Sequence, residues 1–139
     1  MRTKRIVSLI MVMLMIVSMI IITVSARQSE LIQDQDAEVY TDASGNICVW
    51  FRARSKEQMD ILGASLIRLQ MENDDGSWST VYSWPESSQT RGESISIFSN
   101  TLTYYNAVEG ENYRAVVKFY AELDNVSESF NYTTNEVTP

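Results

Sequence analysis

The chain has 139 residues, with 11 Lys and Arg against 18 Asp and Glu, one cysteine and no histidine. The acidic balance argues against nucleic acid and anionic membrane surfaces as partners. The lack of histidine removes the commonest general base and metal ligand. A single cysteine excludes an internal disulfide and a cysteine-ligated zinc or iron–sulfur site. We therefore expect neither a metal nor any other cofactor.

Residues 1–26 have the pattern of an export signal. A basic start precedes an almost wholly apolar run over 6–24, and Val24-Ser25-Ala26 supplies the small residues that signal peptidase requires. We expect cleavage after Ala26, which places the mature protein outside the cytoplasm, secreted or at the cell surface. The alternative is an uncleaved anchor, because these 19 residues at about 1.5 Å each span a bilayer core. The membrane is a partner only in that case.

Residues 27–139 carry 8 Lys and Arg against 18 acids, a formal charge of −10, and suit one domain. The polar segment 27–36 is predicted to be flexible, so the domain proper spans 37–139. A short strand over 37–40 and a turn over 42–46 open it. Residues 47–54 then alternate between apolar and polar side chains, which predicts a half-buried strand.

The segment 55–63 is ambiguous. Ser55 followed by Gln58 resembles a capping box, which favours one short helical turn or a loop. Residues 65–72 alternate again and predict a second strand, with Ile67 and Leu69 pointing inward.

The rest of the chain predicts strands separated by turns. A hairpin turn over 74–76 leads into a return strand over 78–84, which Pro85 ends. Further strands are predicted over 93–99, 113–122 and 127–134. Six or seven short strands with no long helix predict an all-β fold, an antiparallel β-sandwich.

The sequence Gly110-Glu-Asn-Tyr113 at the start of a strand resembles the sixth strand of immunoglobulin-like and fibronectin-type sandwiches. The resemblance implies a sandwich of about seven strands. It also implies that Tyr113 is buried, with its hydroxyl bonded to backbone between 103 and 110. Glu109 stands where these families usually have proline, and their cysteine pair is missing.

A second resemblance covers most of residues 47–134. Ile61-Leu-Gly63, Asp75-Gly76-Ser-Trp78 and Tyr113-Arg114 are similar to small secreted domains of uncharacterised families in Gram-positive, clostridia-like bacteria. The resemblance implies export and supplies no catalytic residue.

Three aromatic residues share one face of the predicted strand 78–84, namely Trp78, Tyr82 and Trp84. Exposed aromatic rows stack on sugar rings or peptide side chains. The alternative is that the rings form a core face and the serines between them face water. We expect the second arrangement, with Trp78 in the core and Trp84 half-exposed beside Pro85.

Acidic pairs are the remaining candidates for chemistry. Asp74 and Asp75 are consecutive, whereas a calcium loop places its ligands at alternate positions, so they indicate a turn. Pairs of carboxylates are expected by chance among 18 acids, which argues against a glycosidase. Cys48 alternates with core residues and suits a packed or semi-exposed structural thiol more than a reactive one. We predict no catalytic residue.

These observations favour an exported, non-catalytic module that binds an extracellular or cell-surface protein or glycan. Two alternatives remain: an accessory or inhibitor of an extracellular hydrolase, and a glycan-binding module that uses Trp78, Tyr82 and Trp84.

Overall fold

The computed structural model describes residues 30–139, so the predicted leader and its cleavage site lie outside the described residues. The described part of the chain is all-β, as predicted, and forms one antiparallel sheet of six strands. The strands are β1 (Ile32–Thr41), β2 (Ile47–Glu72), β3 (Trp78–Pro85), β4 (Arg91–Tyr104), β5 (Tyr113–Leu123) and β6 (Val126–Val137). Within residues 30–139, no helix has the length and apolarity needed to cross a bilayer.

The 26-residue strand β2 organises the sheet. Its first part, 47–55, pairs with β1 on one side and β4 on the other, while its last part, 66–71, lies between β3 and β5. Ile61 to Gly63 pair with both β4 and β5, so the change of partners occurs within the strand. β6 extends the sheet beyond β5.

The prediction of a helical turn or loop over 55–63 is wrong, because this segment belongs to β2. Ser55 is buried and its hydroxyl donates to the carbonyls of Glu57 and Ser96 rather than capping a helix. Met59 and Leu62 are buried in the core. The two strands predicted on either side are therefore one strand, which is why the sheet has six strands rather than about seven.

β1 is longer than predicted. It begins at Ile32, so residues 32–36 of the segment predicted to be flexible lie in a strand, and Ile32 is buried. The outer strands β1 and β6 approach each other. The Asn135 side chain accepts from the Val39 backbone N–H and donates to the Val39 carbonyl, at 3.0 and 2.9 Å. The side-chain amide of Asn135 in β6 thus bonds to both the N–H and the carbonyl of Val39 in β1 and joins the last strand to the first.

The core lies inside the curl of the sheet. Ile67 and Leu69 of β2, which were predicted to point inward, are fully buried, as are Val49 and Phe51. Met71, also predicted to point inward, is half-buried against the core. Residues of β1, β4 and β5 complete it. Burial of this apolar surface is the main stabilising contribution, at roughly 25 cal/mol per Å².

Candidate functional site

A β-bulge in β3 divides the predicted aromatic row. Thr80 pairs with Gln70 and Tyr82 pairs with Leu69, so Val81 is an extra residue with no partner of its own. An extra residue reverses the alternation of side chains on either side of it. Residues that pair directly lie on one face, so Tyr82 shares the face of buried Leu69, whereas Thr80 shares the outward face of Gln70.

Trp78 consequently lies outside the core, and the expectation that it is a core residue is wrong. It pairs with Glu72 and is half-buried on the outward face. The Arg114 guanidinium carbon lies 4.2 Å from the centroid of its ring, a cation–π contact. The bulge is the physical reason, since strict alternation would have placed Trp78 with Tyr82 and Trp84.

Tyr82 and Trp84 form an aromatic cluster with Tyr104 of β4, which we call the edge cluster. The Tyr82 ring lies 4.9 Å from Trp84 and 5.6 Å from Tyr104 between centroids. Trp84 and Tyr104 pack against the core and are half-buried, as expected for Trp84, while Tyr82 is 47% exposed. The cluster lies where β3 and β4, which pair with different parts of β2, come together.

The rings of the edge cluster do not share a plane. Tyr82 meets Trp84 at 70° and Tyr104 at 43°. Such tilted contacts are the favourable geometry for packed aromatic rings. They leave one exposed phenol over an apolar base, a surface suited to a partner's apolar side chain more than to a row of stacked sugars.

Tyr104 was missed in the sequence because the strand before it was predicted to end at Ser99. β4 continues to Tyr104, and Leu102 is buried between Thr101 and Thr103. This alternation was visible in the sequence and extends the strand to the edge cluster. Arg114 was named only within a motif, and nothing local in the sequence pairs it with Trp78, 36 positions away.

Tyr113 occupies the predicted corner. It is 1% exposed, and its hydroxyl oxygen accepts a hydrogen bond of 2.9 Å from the Val108 backbone N–H. The loop between β4 and β5 carries the exposed side chains of Tyr105 and Val108. The corner therefore fixes this loop directly after Tyr104.

The carboxyls with shifted pKa values belong to turns. Hydrogen bonds from the side chain and backbone of Asn46 hold the pKa of Asp42 below its ordinary value. Ser77 lowers the pKa of Asp75 in the same way, through its hydroxyl and its backbone N–H. Both arrangements are turn geometry, as predicted for Asp74 and Asp75.

The potential metal ligands and the one cysteine of the described chain lie apart in the structure. No group of three or more Cys, Asp or Glu side chains among residues 30–139 is placed to hold a metal ion. Cys48 is buried, with its sulfur 3.8 Å from the Thr103 hydroxyl. Its position agrees with a packed structural thiol.

A groove of about 680 Å³ lies between the beginnings of β1 and β6, away from the edge cluster. It is lined by residues 30–33, 35 and 126–130. The Glu128 carboxylate in its wall already accepts from the Leu31 backbone N–H. None of the aromatic residues singled out in the sequence lines this groove.

No protein family model, curated protein or solved structure matches the chain.

Proposed function

We propose that the protein is an exported, non-catalytic module that binds an extracellular or cell-surface protein through the edge cluster. The observation that carries the proposal is the exposure of Tyr82 over the half-buried rings of Trp84 and Tyr104. Partly exposed aromatic side chains on a rigid base lose little conformational entropy on binding and dominate many interfaces.

The surroundings of the cluster support a protein partner. Tyr105, directly after Tyr104, is 74% exposed, and Val108 in the same loop is 53% exposed. The Tyr113 hydroxyl holds this loop in place. Apolar and aromatic side chains together favour a protein surface, whose binding centres are rich in such groups. A glycan-binding role for Tyr82 and Trp84 is the alternative, but the tilt between the rings favours the protein.

We further propose that the curled sheet is an immunoglobulin- or fibronectin-like sandwich in which β2 supplies two consecutive strands. The pairing supports this arrangement. The first part of β2 lies with β1 and β4, and the last part lies with β3, β5 and β6. With β2 counted as the second and third strands, β4 becomes the fifth, β5 the sixth and β6 the seventh. Immunoglobulin-type sandwiches likewise pair their first, second and fifth strands in one layer and their third, sixth and seventh in the other. β3 departs from the constant type, whose fourth strand lies in the first layer, and instead lies in the layer to which the variable type adds strands. Tyr113 at the start of β5 matches their corner tyrosine.

Export rests on the basic start, the apolar run and Val24-Ser25-Ala26 in the sequence. The intact mass of the product from a secreting host tests it. We expect a protein that begins at Arg27 in the medium. A product that retains residues 1–26 would replace secretion with anchoring.

The binding proposal is tested by affinity capture with residues 27–139 as bait. The medium and the cell-wall fraction of cells that produce the protein are applied to wild type, Tyr82→Ala and Thr80→Ala. Thr80 is the matched control, because it is exposed on the same strand but lies on the opposite face. We expect a protein that wild type and Thr80→Ala retain and Tyr82→Ala loses. Equal retention by all three baits would overturn the proposal.

A further inference from the structure

Three cations share the outward face of the sheet formed by the last part of β2 with β3, β5 and β6. Arg114 and Lys118 lie on β5 on either side of Val116, and Arg68 of β2 pairs directly with Val116. Buried Ala115 points the other way, into the core. At about 3.4 Å per residue, the Cα atoms of Arg114 and Lys118 are about 14 Å apart along β5. Arg68 lies on the neighbouring strand, beside the midpoint between them.

Arg114 is held in one orientation. Its Nε donates to the Gln70 side-chain oxygen at 2.9 Å, and its guanidinium lies against the Trp78 ring. Its two terminal nitrogens bond to no acceptor among the described residues. A planar guanidinium with its outer edge free is the group that recognises carboxylates bidentately.

Arg68 and Lys118 also lack an acidic partner within residues 30–139. The ion pairs in this part of the chain join Arg52 to Asp34 and Arg91 to Glu86. Two carboxylates lie on the same face, because Glu136 pairs directly with Arg114 and Glu72 pairs directly with Trp78. Both accept from the Asn112 side-chain amide rather than from a cation. Three cations without ion pairs therefore gather on one face, although residues 27–139 carry a formal charge of −10.

We propose that this basic face, made of Arg68, Trp78, Arg114 and Lys118, binds an acidic polysaccharide through its carboxylates. Its three cations outnumber the two carboxylates, Glu72 and Glu136, that pair into the same rows, so its charge is complementary to such a polymer. Trp78 offers apolar ring surface beside the guanidinium. The face holds none of the large exposed apolar side chains of the described residues. Its neutral members are mainly hydroxyls and amides: Thr80, Ser83, Asn131 and Thr133. That composition suits sugar hydroxyls more than a protein interface, whose centre is apolar.

The basic face and the edge cluster are separate sites, because the β3 bulge directs Trp78 and Tyr82 to opposite faces. Failure of one proposal therefore leaves the other standing. Tyr82→Ala is expected to abolish protein capture without changing the affinity for the polysaccharide.

The test measures binding of residues 27–139 to polygalacturonate by titration calorimetry, with neutral dextran as the uncharged comparison. The double variant Arg68→Gln/Lys118→Gln removes two charges from the basic face. The control Arg54→Gln/Lys56→Gln removes two charges from exposed positions at the end of the first part of β2 and directly after it. We expect about tenfold or greater loss of affinity in the first variant and less than about twofold in the control.

A third variant examines the guanidinium. Arg114→Lys keeps the charge but loses the planar fork and the bond to Gln70, so its affinity should fall although net charge is unchanged. Matching melting curves for all variants establish that they fold. The proposal is overturned by equal losses in the two double variants, by an undiminished affinity in Arg114→Lys, or by absent binding. It is likewise overturned if dextran binds equally well or if polyglutamate binds more tightly than polygalacturonate, which would indicate an acidic peptide.

Discussion

The Val108 backbone N–H donates to the phenolic oxygen of Tyr113 across 2.9 Å, which ties the loop between β4 and β5 to the first residue of β5. The Tyr113 ring is almost fully buried against the core. The bond therefore fixes the place where the chain leaves β4 and enters β5, and with it the position of the exposed loop beside the edge cluster.

Tyr113→Phe should keep the ring packing but leave the Val108 N–H without its acceptor. The bond is part-buried, and loss of a typical hydrogen bond costs about 0.5–1.5 kcal/mol of unfolding free energy. In a domain of this size the melting temperature should fall by roughly 4–8 °C per kcal/mol. Thermal unfolding measures the change, and Tyr105→Phe is the control, since Tyr105 is 74% exposed. Equal melting curves for wild type and Tyr113→Phe would show that the bond between Tyr113 and Val108 does not stabilise the protein.

Gly63→Ala should destabilise the protein strongly. Gly63 has φ +148°, and a Cβ there would collide with the Thr90 carbonyl oxygen and lie 2.6 Å from the Arg91 Cα. Backbone strain of about 1–3 kcal/mol adds to an overpacking cost of about 1–3 kcal/mol. Gly45→Ala has a positive φ but open space around the new Cβ, so only the strain applies. Urea unfolding compares the two variants, and a loss in Gly63→Ala no larger than in Gly45→Ala would contradict the close approach.

The two tryptophans of β3 should differ in structural weight. Trp84 packs partly against the core, so Trp84→Ala should cost about 2–3 kcal/mol, less than the roughly 3–5 kcal/mol of a fully buried ring. Trp78 contributes mainly its contact with Arg114, so Trp78→Ala should cost about 1 kcal/mol. Thermal unfolding of both variants measures the difference. A larger loss of unfolding free energy in Trp78→Ala than in Trp84→Ala would contradict the placement of Trp78 outside the core.

The Asp42 turn should respond to pH in a defined direction. Because Asn46 lowers the pKa of Asp42 in the folded protein, its stabilising contribution is fully present above the ordinary value of 3.8 and is lost as pH falls through the lower folded pKa. Carboxyl carbon NMR shifts should show Asp42 titrating below that value in wild type. In Asn46→Ala the pKa should rise towards it, since the largest cause is removed. An Asp42 pKa that does not change in Asn46→Ala would contradict the assignment.

The sequence predicted those features that depend on local alternation and turn chemistry. The buried Tyr113 was implied by the resemblance to immunoglobulin-like sandwiches, whereas the inward residues Ile67 and Leu69 of β2 and the turns at Asp42 and Asp75 follow from side-chain type and spacing. The all-β class follows from the same patterns. These features depend on neighbours within a few residues, which a single sequence displays directly.

Two features depended on contacts far along the chain and were predicted wrongly. Residues 55–63 extend because Met59 and Ile61 pair with Ile95 and Glu93 of β4, which outweighs a local capping pattern. Trp78 faces outward because of one extra residue, Val81, in the pairing with β2. No residue in β3 marks the bulge, since neither glycine nor proline stands at that position, so alternation alone assigned all three rings to one face.

The division of β3 into two faces supports both binding proposals, and nuclear Overhauser contacts between side chains measure it most directly. We expect contacts from the Trp78 ring to the Arg114 side chain and from the Tyr82 ring to the Tyr104 ring. Contacts from the Trp78 ring to Leu69 or Tyr113, on the core face of the sheet, would contradict it.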